Sequence, residues 1–386
     1  MSENLHHQPS RLQKQLRRLE HSSEESLHAL YMTAFLAPLP VPYEILEGAF
    51  GPGPMPVLNP LARLGLAEID REDRSYRIGE DLREELLAGL EPDDAAEYAG
   101  LAVDAVSAAL PGPDQERGAL CERLLPHALA CVSHLGSFRV YYRQDSRLLL
   151  AAGFCFFDQA RFSEAEPLFR KALEVVEKTY GMAHVEYLRT LGDLSACLEE
   201  LGEDDEAESL LVRASLTAQE AFGRDHPEHA VALTNLAGFY MDRDLCEKAL
   251  PLYRQAMKID GKTLGEDSVE AARDVNNLAT ALDRLGRLEE AEDLYRKAWT
   301  LYEHTIGPDH ADTGVVVNNL AGVLEARGRV LEAGSLYRRR LEILQANYGV
   351  DLSCPEVEEA VADYAAFLKA SRRAAVLERL KRKGAL

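Results

Sequence analysis

The chain has 386 residues, 46% of them hydrophobic, and a formal net charge of −22. That surplus of carboxylates argues against general affinity for nucleic acid or anionic lipid, both of which demand cationic surface, and favours solubility and partners with basic or neutral segments. Alanine, leucine and glutamate prevail over β-branched runs, which points to helix, and the length exceeds one ordinary domain, although a stack of repeats grows freely because each unit buries its face against its neighbours.

Residues 1–20 are polar and locally basic, with Arg11, Lys14, Arg17 and Arg18, and are expected to form a flexible tail. Ser23-Glu24-Glu25-Ser26 then precedes an apolar stretch through Leu27, Leu30, Tyr31 and Phe35, the pattern of an N-capped helix stopped by Pro38 and Pro40. Further helices are expected over 43–50 and 57–64, short strands over 66–69 and 76–78 around the charged turn Asp70-Arg71-Glu72-Asp73-Arg74, and another helix over 81–90. Three helices followed by a small hairpin is the order of a winged helix, so 21–92 is expected to form a winged-helix-like domain. Its third helix offers only Arg63 as a cation, too little for phosphate contacts, and no nucleic-acid partner is expected.

Residues 93–140 are a predicted helical connector broken at Pro111-Gly112-Pro113. The runs Ala105-Val106-Ser107-Ala108-Ala109-Leu110-Pro111 and Cys121-Glu122-Arg123-Leu124-Leu125-Pro126-His127-Ala128-Leu129, with the earlier Leu61-Ala62-Arg63-Leu64-Gly65-Leu66-Ala67-Glu68-Ile69, resemble the winged helix and connector of NB-ARC signal-transduction ATPases. The resemblance implies a regulatory or sensor fragment of such a system, acting with a separately encoded ATPase. It departs from the family where Gly79-Glu80-Asp81 replaces the histidine that contacts nucleotide.

Beyond residue 140 the sequence keeps time. Glycines at 181, 223, 265, 307 and 349, alanines at 165, 207, 249, 291 and 333, and leucines at 168, 210, 252, 294 and 336 all recur every 42 residues. Columns of this kind mean one supersecondary unit stacked repeatedly. Each unit holds two predicted helices, as in Val275-Asn276-Asn277-Leu278-Ala279 followed by Glu289-Glu290-Ala291-Glu292-Asp293-Leu294-Tyr295. The first, helix A, ends at a small turn, and the second, helix B, ends at a ruler glycine suited to a left-handed C-cap. The alanine column is read as the place where helices approach closely.

Gly307-Pro308-Asp309-His310, Val317-Asn318-Asn319-Leu320-Ala321 and Glu332-Ala333, with earlier copies Asp225-His226-Pro227 and Thr234-Asn235-Leu236-Ala237, resemble tetratricopeptide repeats, specifically the long repeats of kinesin light chain. The fold class implied is all-α: a right-handed superhelix of about five repeats over 141–349, lengthened from the usual unit of about 34 residues, with capping helices over 350–386. In that family helix A lines a concave groove, and the asparagine before the Leu-Ala pair reaches the backbone of a bound peptide. The resemblance therefore implies a groove built on Asn235, Asn277 and Asn319, with Asp193 as the departing member of that column and Asn276 and Asn318 beside it. One turn earlier stand Arg189, Val231, Arg273 and Val315, expected to supply selectivity. An amide both donates and accepts, so it can pair with extended backbone without reading sequence.

The period also filters other sites. Ala256-Met257-Lys258-Ile259-Asp260-Gly261-Lys262-Thr263 imitates a phosphate loop, yet the same positions one repeat away are ordinary helix B, whose backbone N–H groups are already engaged. His184, His226 and His310 recur as helix-start residues, with Ser268 in the remaining place, so His226 and His229 are not read as a metal pair. The six cysteines (Cys121, Cys131, Cys155, Cys197, Cys246, Cys354) show no CxxC spacing and are expected to be reduced thiols. The start carries no apolar signal-peptide core, and no run approaches the roughly 20 apolar residues of a membrane helix. The expectation is a cytoplasmic, non-enzymatic scaffold or adaptor with a protein or peptide partner, without cofactor or metal. After residue 349 the period slips by two, since Asp363-Tyr364-Ala365 takes the place due to the Asn-Leu-Ala motif, which fits a terminal cap.

Overall fold

The computed structural model describes residues 11–111, 118–135, 143–348 and 355–370. Gly349, Cys354, the Gly112-Pro113 pair and the basic run Arg379, Lys381, Arg382 and Lys383 lie outside the described residues. The chain divides into two compact units, Met1–Ala207 and Glu208–Leu386.

In the first unit, α1 (Arg11–Ser22) occupies most of the stretch expected to be a tail. It is held by burial of Leu12 and Leu19 and by the Gln15 side-chain amide, which donates to the Leu64 carbonyl at 2.7 Å. The basic residues that suggested disorder lie on the remaining faces of an amphipathic helix. Helix α2 (Glu24–Ala34) starts as expected on Ser23, whose hydroxyl accepts from the Ser26 N–H, and Ser26 in turn donates to the Val57 carbonyl at 2.8 Å.

Strand β1 (Val41–Pro42), absent from the sequence reading, precedes α3 (Tyr43–Phe50), α4 (Met55–Arg63), β2 (Glu68–Asp70) and β3 (Ser75–Arg77). The strands form an antiparallel sheet in the order β1-β3-β2, with Tyr76 opposite both Val41 and Ile69. Tyr76 is buried, and its hydroxyl meets Thr33 of α2 at 2.6 Å, so sheet and helix share one core.

Helices α5 (Glu80–Ala88) and α6 (Pro92–Ala109) follow. Helix α6 lies so close to α3 that a Cβ on Gly48 would stand 2.6 Å from the Ala105 carbonyl oxygen. Helices α7 (Gly118–His134) and α8 (Arg143–Phe157) are joined by a Cys121–Cys155 disulfide. This corrects the expectation of reduced thiols: packing of α7 on α8 brings together two residues whose spacing carries no motif. Cys131, Cys197 and Cys246 are free and buried. Helices α9 (Phe162–Tyr180) and α10 (Val185–Leu201) complete this unit, and α11 (Asp204–Phe222) crosses the division.

The second unit is a run of helix pairs: α12 (Pro227–Asp242) with α13 (Cys246–Thr263), α14 (Val269–Arg284) with α15 (Leu288–Thr305), and α16 (Ala311–Ala326) with α17 (Val330–Tyr348), followed by α18 (Pro355–Ala370). Among the described residues there are 18 helices and no closed sheet, an all-α architecture as expected. All five members of the alanine column are fully buried, whereas the leucine column ranges from buried to half-buried. The close approach therefore falls on alanine, where a larger side chain would overpack by about 1–3 kcal/mol.

The four described ruler glycines, Gly181, Gly223, Gly265 and Gly307, adopt positive φ, from 79° at Gly181 to 103° at Gly223. At Gly181, however, ψ is 169°, outside the left-handed helical region. The left-handed cap sits instead at the end of helix A, where Gly202 has φ 77° and ψ 17°. That column (Ala160, Gly202, Asp244, Gly286, Gly328) has positive φ throughout.

Candidate interaction face

Helix A of each repeat is set by its first residue. His184, His226 and His310 adopt extended backbone, and each imidazole Nδ1 accepts from the N–H two residues on at 3.2 Å; Ser268 caps α14 from the Ala271 N–H. Rings from the preceding helix B stack on two of these caps, Tyr180 on His184 at 4.5 Å and Phe222 on His226 at 5.0 Å. His229 is buried and its Nδ1 lies 3.0 Å from the Arg224 carbonyl. Its ring and that of His226 are thus both engaged with backbone. The sequence 256–263 that imitates a phosphate loop lies within α13.

With the caps fixed, the column residues fall on one face of helix A. In the second unit Val231 and Val315 are 41% and 52% exposed, with Arg273 exposed between them in the column. One turn on, Asn235 is exposed, and Asn277 and Asn319 are half-buried. The amides are not all alike. Asn319 Nδ2 donates to Asn276 Oδ1 at 3.3 Å, joining α16 to α14, and Asn318 Oδ1 accepts from Arg340 Nη1 at 3.1 Å. In the first unit, exposed Arg189 pairs with Glu186 at 3.3 Å, and half-buried Asp193 has its pKa pushed up to about 7 by burial, with Glu186 adding to the rise.

The burial of four charged residues of the second unit was not foreseen from the sequence. Asp260 and Asp274 are buried at the boundary of α13 and α14. Glu292 is buried yet keeps a lowered pKa, because hydrogen bonds from Arg296 and Arg329 and their charges outweigh its desolvation; Arg327 donates to it as well, at 2.6 Å. Three periods earlier, in the first unit, Arg170 pairs with Glu166 and Glu206 in the same manner. Arg340 is buried against α18. The available signal was departure from a column: Asp274 stands where Ala232 and Val316 do, and Arg340 where Ala256 and Ala298 do.

The sequence profile of the tetratricopeptide repeat matches residues 145–215, 228–304 and 276–346. These helix pairs are tetratricopeptide repeats. Repeats of this kind serve protein–protein interaction by presenting extended surfaces. No significant match is found among curated protein sequences. Among solved structures, a kinesin light chain of Podosopora anserina with nearly identical tetratricopeptide-like repeats is 22% identical, covering 53% of this chain and 98% of that one, with a TM-score of 0.46. BtubC (BKLC) of P. vanneervenii is 20% identical, covering 67% of this chain and 93% of that one, at a TM-score of 0.47. A signal-transduction ATPase with numerous domains and a tetratricopeptide repeat sensor, from Pyrococcus horikoshii, is 14% identical over 100% of this chain and 68% of its own, at a TM-score of 0.42. No helix among the described residues is long and apolar enough to cross a membrane.

Proposed function

We propose that this chain is a non-enzymatic scaffold or adaptor that binds an extended peptide or protein segment along the helix A face of its repeats, with the winged-helix-like region at 21–92 and the connector serving as a packing module. The observation that carries the reading is the exposure of Val231 and Val315 on either side of Arg273, next to the amides of Asn235 and Asn277. Two apolar side chains left in water at one phase of a repeat gain by being covered. Arg273 offers a forked donor to a carboxylate, and the amides offer bonds to backbone. In the first unit, Arg189 and Asp193 hold the same repeat positions on α10. Cytoplasmic residence belongs to this proposal, and the Cys121–Cys155 bond weighs against it, since disulfides are rare in reducing compartments.

The test begins with a partner crosslinked to the wild-type chain, identified and then purified. Binding of that partner to Asn235→Ala/Asn277→Ala and to Arg273→Ala is expected to fall at least about tenfold, the size of loss of roughly 1.4 kcal/mol, while circular dichroism and melting stay as in the wild type. Undiminished binding by both variants rejects the groove.

A further inference from the structure

Asp260 and Asp274 break the repeat at two facing positions. Asp260, near the end of α13, takes the place held by Ala218 and Tyr302, and Asp274, in the second turn of α14, takes the place held by Ala232 and Val316. All four of those counterparts are buried, and the two aspartates follow them, at 1% and 0% exposure. The carboxyl groups lie within hydrogen-bonding reach of each other. As two carboxylates they have no donor between them, and Asp260 Oδ1 and both oxygens of Asp274 are left without a hydrogen-bond partner. Three buried acceptors without donors are costly. One proton resolves the arrangement, because a protonated carboxyl donates to its neighbour and a single negative charge remains for the pair.

The surroundings suit that state. Arg273 reaches both carboxyls only at the limit of ion-pair range, 3.9 Å to Asp260 and 4.0 Å to Asp274. Glu270, one turn before Asp274 on α14, opposes a second negative charge. Tyr253 of α13 and Tyr302 of α15 feel the charge of Asp274, and Asp312 of α16 acts on the same Tyr302. Helix α12 contributes an apolar wall here, with Ala230 and Leu233 against Ala256 and Ile259 of α13. One half-exposed guanidinium thus faces two buried carboxyls and a third acid.

We propose that Asp260 and Asp274 share one proton across the α13–α14 seam, and that losing it loosens the seam and draws Arg273 inward as the counter-ion. The seam is then a pH-sensitive element lying directly beneath one cation of the candidate face. Burial, and next the charge of Asp260, push the pKa of Asp274 up to about 7, and burial raises that of Asp260. Both groups are raised above the ordinary carboxylate value of about 3.9, so the contribution of the pair to stability is complete below that value and is lost as pH rises from there to about 7. This inference does not depend on the groove having a ligand.

The full chain labelled with 13C at the aspartate carboxyl carbon, followed by NMR from pH 4 to 9, tests the shared proton. Asp260→Asn and Asp274→Asn assign the two signals. Both are expected to shift together near neutrality; two signals that titrate below pH 5 overturn the proposal. Replacing the pair with the apolar residues of other repeats, Asp260→Ala/Asp274→Val, is expected to raise the melting temperature above the wild type by a margin that widens by roughly 5 °C from pH 5 to pH 8. A margin independent of pH overturns the loosening. Should that variant fail to fold, Asp274→Asn alone keeps a permanent donor to Asp260, and its melting must lose the same pH dependence.

Discussion

His127 illustrates how one buried side chain sets a pH limit. It sits on α7 with Nε2 3.2 Å from the Pro40 carbonyl, and its Nδ1 is buried without a partner. Burial pulls its pKa down to about 4, the bond to Pro40 only partly opposing that. The unfolded chain takes up this proton near pH 6.5 and the folded chain near 4, so the contribution of His127 is complete above about 6.5 and drains as pH falls between those values, by roughly 3 kcal/mol in all. Chemical denaturation at pH 7 and pH 4.5 is expected to show a steeper loss for the wild type than for His127→Gln. Equal slopes reject the assignment. The residue was legible in sequence only as part of the connector motif; its burial depends on β1, two residues long and invisible to periodicity. The capping histidines were legible because each recurs at one phase, and a recurring polar residue at a helix start has one simple employment.

At the scale of elements, what repeats was read well and what breaks the repeat was not. Helix pairs, the alanine column and the N-caps of helix A follow from period alone, whereas the left-handed C-cap falls at the end of helix A and not at the ruler glycines. The slip of two residues in α18 was visible too, but not its consequence. Arg340 occupies a place that is alanine in other repeats, and its guanidinium donates to Asp363 at 2.6 Å, Glu359 at 3.2 Å and Asn318 at 3.1 Å. The slip places Asp363 where α18 can answer a cation on α17. A column read position by position predicts a small side chain there and cannot foresee that the terminal helix is out of phase. Restoring the repeat with Arg340→Ala is expected to cost about 1–3 kcal/mol, reduced from the value for fully buried pairs because both acids are partly exposed. Hydrogen exchange should accelerate across α18 and little elsewhere in the second unit. Arg340→Met, which keeps the apolar stem, separates the charge from the packing: if it protects α18 as well as arginine does, the ion pairs are not what holds the helix.

For the molecule as a whole, the disulfide is the feature that distinguishes the two units. Cys121 and Cys155 are 34 residues apart and lie in Met1–Ala207, whereas the second unit holds Cys246 as a free thiol among its described residues. Closing a loop of that length restricts the unfolded chain of the first unit and stabilises it by about 4 kcal/mol. The second unit gains nothing from it, so reductant should act on one unit alone. Hydrogen exchange with and without a phosphine reductant is expected to lose protection in α6, α7 and α8 while α12 to α17 keep theirs, and Cys121→Ser/Cys155→Ser should reproduce the reduced pattern without reductant. The same bond bears on where the protein works. Chain isolated from its source under acid quench and alkylated at once should carry label on Cys121 and Cys155 if it resides in a reducing compartment, and none if the bond persists there. Labelled thiols would restore the cytoplasmic expectation and leave the first unit weaker in the cell than the isolated chain. Unlabelled ones would move the protein to an oxidising compartment, where its partner must also be sought.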